Sequence, residues 1–409
     1  MKRNSYFAKS VLMLTAIVGM TFASCSNEDV EGGIPNSNGS SDNSKVMSFV
    51  PSLENPSVTR GAATTLANFE VENNTFDVWG YYSTDATGTG VTPGALYVGT
   101  SNTVGTVIRY DGAKWDYNNA ADKKLWPAET GKLNFQAVSP AAYGTIINTP
   151  ADAVAKLGMT ITVPATVADQ KDVVFGHAEK KTYTSNATVV PLAFEHALSQ
   201  VVFQGKVNST DLTATVKGVK ICNVKSTADV GYLGARVIDN NGTPDDESDD
   251  VTTDRRALAV QNIGAAVESY PIGMAGGADV VLTTTTAADL CATNGALIMI
   301  PQSGATPWDP TAGNITAANT AGETYLEIEC KIMYTESGEY VLGSADAYGK
   351  IYVPFTIDWA IGKKYTYLLN FGTGSGGYDE SGEELMNYIT FSVSAVESWD
   401  EIAGAEHTI

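Results

Sequence analysis

Histidine is almost missing from this chain. Three occur in 409 residues, His177, His196 and His407, and no two are close in sequence. That scarcity argues against a multi-histidine metal centre or a His-dependent triad. No His-Glu-x-x-His, Gly-x-Ser-x-Gly or Cys-x-x-Cys run is present, so zincin, hydrolase and thiol-redox signatures are all lacking. Basic residues are few as well. Lys and Arg number 25 against 46 acids, a net charge of −21, which leaves no basic footprint for nucleic acid. Long apolar runs are also absent. The stretch Val11–Met20 is ten residues, too short to span a bilayer as a helix. With only 17% charged residues, long salt-bridged helices are disfavoured.

What is abundant points to strands. Apolar residues make up 43% and aromatics 9%, enough for packed cores. Glycine (39) and tyrosine (19) are plentiful, a balance that suits short strands and turns. The length favours more than one domain.

The N-terminus reads as an export signal. Lys2, Arg3 and Lys9 precede the apolar stretch, and Phe22-Ala23-Ser24 lead into Cys25. Small residues before a cysteine resemble the lipobox of bacterial lipoproteins, which places lipidation at Cys25; Phe22 stands where leucine is usual. Ser26-Asn27-Glu28-Asp29 resembles a surface-export signal of Bacteroidetes lipoproteins. Residues 1–24 are therefore a signal peptide, and the Gly/Ser/Asn-rich stretch at 30–45 is a tether. Cys222, Cys291 and Cys330 are widely spaced and read as small buried hydrophobes.

Period-two alternation then recurs along the chain. Met47, Phe49 and Leu53 share one face of a short strand, with Pro51 marking an edge. Strands are expected at 76–82, 104–110, 132–138, 161–164 and 172–175, and beyond them at 189–194, 200–207, 216–224, 297–301, 324–334, 350–355, 364–370 and 388–396. One helix is expected, over Ala151–Leu157, ending at Gly158. The fold class is all-β, with two tandem β-sandwich domains, 61–187 and 188–409.

Several segments then converge in order: Thr59-Arg60-Gly61; Asp172-Val-Val-Phe-Gly-His177; Phe194-Glu-His-Ala-Leu-Ser199; Ile300-Pro-Gln-Ser303; Trp359-Ala-Ile-Gly-Lys-Lys-Tyr-Thr-Tyr367; and Phe391-Ser-Val-Ser-Ala-Val-Glu-Ser-Trp399. Together with the lipobox they resemble the fimbrillin family of Bacteroidetes, whose members build type V pili. The resemblance implies transthyretin-like sandwiches and a non-enzymatic structural role. It also implies export to the outer membrane as a surface lipoprotein, then cleavage by a trypsin-like or Arg-specific protease. On this chain the cut falls between Arg60 and Gly61, so that residues 25–60 are removed with the strand carrying Met47, Phe49 and Leu53. A donor strand from another fimbrial subunit refills the groove, a form of β-augmentation. Ile389, Phe391, Val393 and Ala395 lie at period two near the C-terminus and suit a donor. The same segment also reads as the last strand of its own domain, as in a tip or anchor subunit.

The remaining signals are weaker. His196 lies in the family-like segment with no nucleophile motif, and reads as structural. Residues 239–254 carry seven acids without a base and read as a solvated hairpin rather than a calcium loop, since EF-hand spacing fails. Arg255-Arg256 is a second possible protease target. Gly372–Gly377 lacks the helix of a P-loop and reads as a connection between the last strands. No cofactor, metal or catalytic residue is expected. The alternative from another class is a monomeric surface lipoprotein that binds glycans on exposed aromatics, with Trp79, Trp115, Trp126 and Trp308 as candidate platforms, although burial is the default for each.

Overall fold

The computed structural model describes residues 45–53, 69–86, 91–127, 131–149, 154–183, 189–241, 246–372, 377–385 and 389–398. The chain is all-β, as its alternation predicts. In chain order the first strands are β1 (Ser48–Leu53), β2 (Thr75–Tyr82), β3 (Leu96–Val98), β4 (Thr106–Tyr110), β5 (Trp115–Tyr117), β6 (Leu133–Ser139), β7 (Thr145–Thr149), β8 (Lys156–Thr162), β9 (Val174–Lys181) and β10 (Val189–His196). Then come β11 (Ser199–Val207), β12 (Leu212–Lys225), β13 (Thr227–Gly231), β14 (Arg236–Asp239), β15 (Val251–Arg256), β16 (Ala259–Gln261), β17 (Val267–Pro271) and β18 (Val280–Leu282). The last are β19 (Ala288–Asp289), β20 (Leu297–Met299), β21 (Tyr325–Tyr334), β22 (Tyr340–Leu342), β23 (Gly349–Pro354), β24 (Lys363–Phe371) and β25 (Ile389–Ser398).

The first sheet runs β1-β10-β9-β6-β2-β4-β5, with β3 on β2. A second runs β19-β11-β24-β25, a third β17-β12-β21-β22, a fourth β16-β13-β8-β7, and β14 pairs β15 alone. Main-chain pairing crosses residue 188: β10 lies beyond it yet bonds β9, with Ala193 opposite His177 and His196 opposite Val174. Strand β8 likewise pairs β13 from the second half.

Side-chain alternation explains the layers. In β2, Phe76 and Val78 join an aromatic cluster with Phe135, Trp115 and Phe194. Trp79 and Tyr81 join a larger core that continues through Phe175, Phe203, Ile328 and Phe371. Both faces of β2 are therefore buried.

The helix expected over 151–157 is not there; residues 151–153 lie outside the described residues, and Lys156–Thr162 is strand β8. Leu157, Met159 and Ile161 alternate and are all buried, so burial at period two overrides the helix propensity of the alanines. Gly158 is no helix cap. A Cβ there would lie 2.7 Å from Leu233, and one on Gly231 (φ +139°) 2.6 Å from the Gly158 Cα, so the pair lets β8 and β13 approach closely. The helix that is described, α1, spans Ile315–Ala321. Asn314 caps it by accepting from the Ala317 N–H at 3.0 Å, and Gly322 (φ +72°) ends it.

Candidate functional site

The seat of β1 is the part of the fold where the expected removable strand meets the core. Strand β1 lies at the end of its sheet and runs parallel to β10, Ser48 opposite Val189 through Leu53 opposite Phe194. Pro51, which has no N–H to give, is tolerated at such an edge. The residues just before β1 are stitched on the other side. The Met47 N–H donates to the Lys124 carbonyl (2.9 Å) and the Trp126 N–H to the Lys45 carbonyl (2.8 Å). The Ser52 hydroxyl adds a bond to the Leu192 carbonyl at 3.1 Å.

Alternate residues of this segment fill the core. Met47 and Phe49 are fully buried and Pro51 is buried too, while Ser48, Val50 and Ser52 are half-buried. Leu53 continues the register; its side chain lies outside the described residues. Phe49 stands edge-on to Phe135 at 5.2 Å and to Tyr117 at 6.1 Å. The walls of the seat are Val190, Leu192 and Phe194 from β10, with Phe135, Tyr117 and Trp126 opposite. Within β10, Val189–Leu192 take β1 as their ladder partner, whereas β9 pairs only Ala193–His196. Departure of β1 would leave half of β10 without a neighbour and open an apolar trough.

Cys25, Arg60 and Gly61 lie outside the described residues. The described arginines are all in strands. Arg109 of β4 pairs Thr75 on one side and Asp116 on the other, Arg236 is in β14, and Arg255 and Arg256 are in β15. This corrects the reading of Arg255-Arg256 as an open protease target. Arg256 is 6% exposed, its guanidinium donating to the Val154 and Gly234 carbonyls, and Arg255 is paired with Glu179 (3.2 Å) and Glu195 (3.6 Å). The acidic run before them does form a hairpin, the β14–β15 ribbon.

The expected donor segment is β25, antiparallel to β24 at the edge of the second sheet. Ile389, Phe391 and Val393 stand opposite Phe371, Leu369 and Tyr367. A bulge then breaks the period: Ala395 stands opposite Thr366, and Val396 takes the place opposite Tyr365. The two-residue register of the four expected positions therefore breaks between Val393 and Ala395.

The remaining polar groups look structural. His196 closes β10 rather than starting a strand, and its Nδ1 lies 2.8 Å from the Asp172 carboxylate, both buried. His177 is pushed down to about 4, first by burial and then by Arg255 and Lys181. The four tryptophans offered as glycan platforms are buried: Trp79 0%, Trp115 6%, Trp126 6% and Trp308 2% exposed. The Trp79 and Trp308 indole N–H groups are spent on the Ser101 and Gly313 carbonyls. That removes these four side chains as platforms. Among the described residues, no three His, Cys, Asp or Glu side chains are grouped to hold a metal, and no helix is long and apolar enough to cross a membrane.

Comparison with known proteins bears on this arrangement. The family model described as fimbrillin-like matches residues 59–399. The chain belongs to the fimbrillin-like family. Among solved structures, a fimbrial protein from Bacteroides vulgatus matches with a TM-score of 0.54 at 17% identity, covering 87% of this chain and 99% of the other. A protein from Bacteroides ovatus assigned to cell adhesion matches at TM-score 0.42 and 13% identity, over 87% of this chain and 98% of its own. Among curated proteins none matches. The first likeness supports the fold of this fimbrillin-like chain.

Proposed function

We propose that this fimbrillin-like chain is a non-enzymatic structural subunit of a cell-surface fimbrium, serving adhesion. It is exported as a lipoprotein through Cys25, trimmed after Arg60, and joined to other subunits by donor-strand exchange. In this reading its strands form two transthyretin-like sandwiches. The observation that carries it is the β1 seat: an edge strand buries Met47 and Phe49 in the core, and Arg60 follows Leu53 by seven residues in sequence. One cut there leaves β1 held by non-covalent contacts alone. The vacated edge is an aggregation hazard unless another strand fills it. The strand placement of every described arginine supports an Arg-directed cut elsewhere, since proteases take their substrates as extended, unpaired chain. Strand β25, ten residues and about 33 Å long, is of sufficient length to serve as donor.

A second reading is favoured by the pairing of β25 with β24. A subunit that keeps its last strand at home would sit at a tip or base. Trypsin treatment of the soluble precursor separates the two. Cleavage after Arg60 is expected to yield an N-terminus at Gly61 and to promote filaments, and Arg60→Ala to block both. Truncation after Asn387 should leave cleavage intact and abolish filaments if β25 is the donor. Filaments from the truncated chain refute the donor assignment, and an intact precursor that polymerises equally well refutes the processing step.

A further inference from the structure

We infer that Arg255-Arg256 is a locked proteolytic site, and that the lock is the docking of the β14–β15 ribbon onto the first sheet through Asp254. The inference is independent of strand exchange. A dibasic pair needs two things to be cut by an arginine-specific endoprotease: its backbone extended into the protease cleft, and the arginine side chain free to enter the specificity pocket. The fold denies both. The Arg256 backbone is paired with Arg236, and the next N–H, of Ala257, donates to the Ala235 carbonyl at 2.9 Å. Both guanidiniums are engaged, that of Arg255 by Glu179 and Glu195 and that of Arg256 by backbone carbonyls.

The tie that gathers the most partners at the base of the ribbon is one carboxylate. Asp254 is 3% exposed and gathers donors from three separate segments. From the end of β2 come the Ser83 hydroxyl, the Thr84 hydroxyl (2.6 Å) and the Thr84 N–H (3.3 Å). Asn134 of β6 donates at 3.1 Å, and Arg236 of β14 at 2.7 Å. The Asp254 N–H in turn donates to Glu179 at 3.2 Å. Three consecutive residues, 254 to 256, are thus each tied to chain far away in sequence. The outer part of the ribbon is more exposed. Ile238 and Val251 are 59% and 47% exposed, and the two strands pair only with each other. An isolated two-stranded ribbon is marginal in water, so its base decides whether it stays docked. Loss of the Asp254 charge weakens the acceptor shared by the buried Ser83 and Asn134 side chains and removes the counter-charge of the half-buried Arg236 guanidinium. The ribbon then opens locally, and both arginines become extended chain.

The test is limited digestion of the full-length protein with an arginine-specific endoprotease. Cuts at Arg255 or Arg256 and at Arg109 are followed separately by mass. Asp254→Asn is expected to raise cleavage at 255–256 by a factor of about ten or more, with Arg109 unchanged. Asp250→Asn, an exposed ribbon position, should have no such effect. Adding Arg255→Lys and Arg256→Lys to Asp254→Asn should abolish the new cut while keeping both charges. Cleavage at 255–256 in the unmodified chain as fast as in Asp254→Asn would overturn the lock. So would an Asp254→Asn chain cut no faster, or one in which Arg109 is exposed in parallel, which would mark global unfolding.

Discussion

Phe49→Ala in the precursor probes the β1 seat most directly. Phe49 is 1% exposed and packs edge-on against Phe135 and Tyr117. Truncating such a ring costs about 3–5 kcal/mol, from lost transfer energy and the cavity left behind. Collapse into that cavity is resisted, because the rings around it are held by their own strands. Phe135 is fixed on β6 between β2 and β9, and Tyr117 on β5 against β4. The expected loss therefore lies in the upper part of the range. Ser52→Ala serves as the control on the same strand: it removes one half-buried hydrogen bond to Leu192, worth about 1 kcal/mol. Urea unfolding followed by tryptophan fluorescence reports both, since Trp115 and Trp126 share the Phe49 cluster. In a chain beginning at Gly61 the seat is already empty, so that chain should unfold at lower urea than the precursor, and Phe49→Ala should fall between the two. A Phe49→Ala loss below about 1 kcal/mol, or no greater than that of Ser52→Ala, would refute the reasoning that β1 is an energetically essential filler of the first sheet.

Two further outcomes are expected. His177 titrates near 6.5 when unfolded but about 4 in the fold, where burial, Arg255 and Lys181 disfavour its charge. The unfolded chain therefore binds more protons between these values, and stability is full above 6.5 and lost as pH falls towards 4, by about 2 kcal/mol at pH 5. Glu179, raised by burial, works in the opposite sense. Unfolding free energies measured at pH 7 and 5 should show a smaller drop in His177→Gln; an equal drop would dismiss His177 as the source. Cys222, Cys291 and Cys330 are unpaired, and burial lifts the thiols of Cys291 and Cys330 to about 11 and about 12. In a Cys25→Ser chain, a thiol reagent should label almost nothing natively and three thiols in denaturant without reductant. Fewer than three would reveal a disulfide.

The legible parts of this fold were those written in local periodicity. The alternation from Thr324 to Tyr334 becomes β21, and the short run around Met47 and Phe49 becomes β1. Where local signals conflict, packing decides. The alanine-rich window before Gly158 carries helix propensity, but Leu157, Met159 and Ile161 are drawn into one core as a strand. Contacts between remote segments left no trace in sequence. Asp254 meets Ser83 across 171 positions, so nothing local distinguishes Arg255-Arg256 from an exposed dibasic pair. The bulge that displaces Ala395 depends on the partner strand β24, and period-two counting along β25 alone misses it. Burial of the four tryptophans follows the default for such large side chains, but which core each would join was not legible.

Strands β1 and β10 point the same way, and that gives the seat a compass direction. Parallel ladders space their hydrogen bonds evenly and on a slant, whereas antiparallel ones alternate close and wide pairs. A newcomer reproducing the ladder of β1 must therefore enter beside Val189 and leave beside Phe194. Its parent chain then arrives at one end of the receiving molecule and never at the other. Two molecules related by a twofold axis would present identical patches to each other, which a one-way seat on one copy and a free strand on the other cannot satisfy. If subunits join through this seat as proposed, growth would be heterologous, with a front and a back, and would continue for as long as open seats remain.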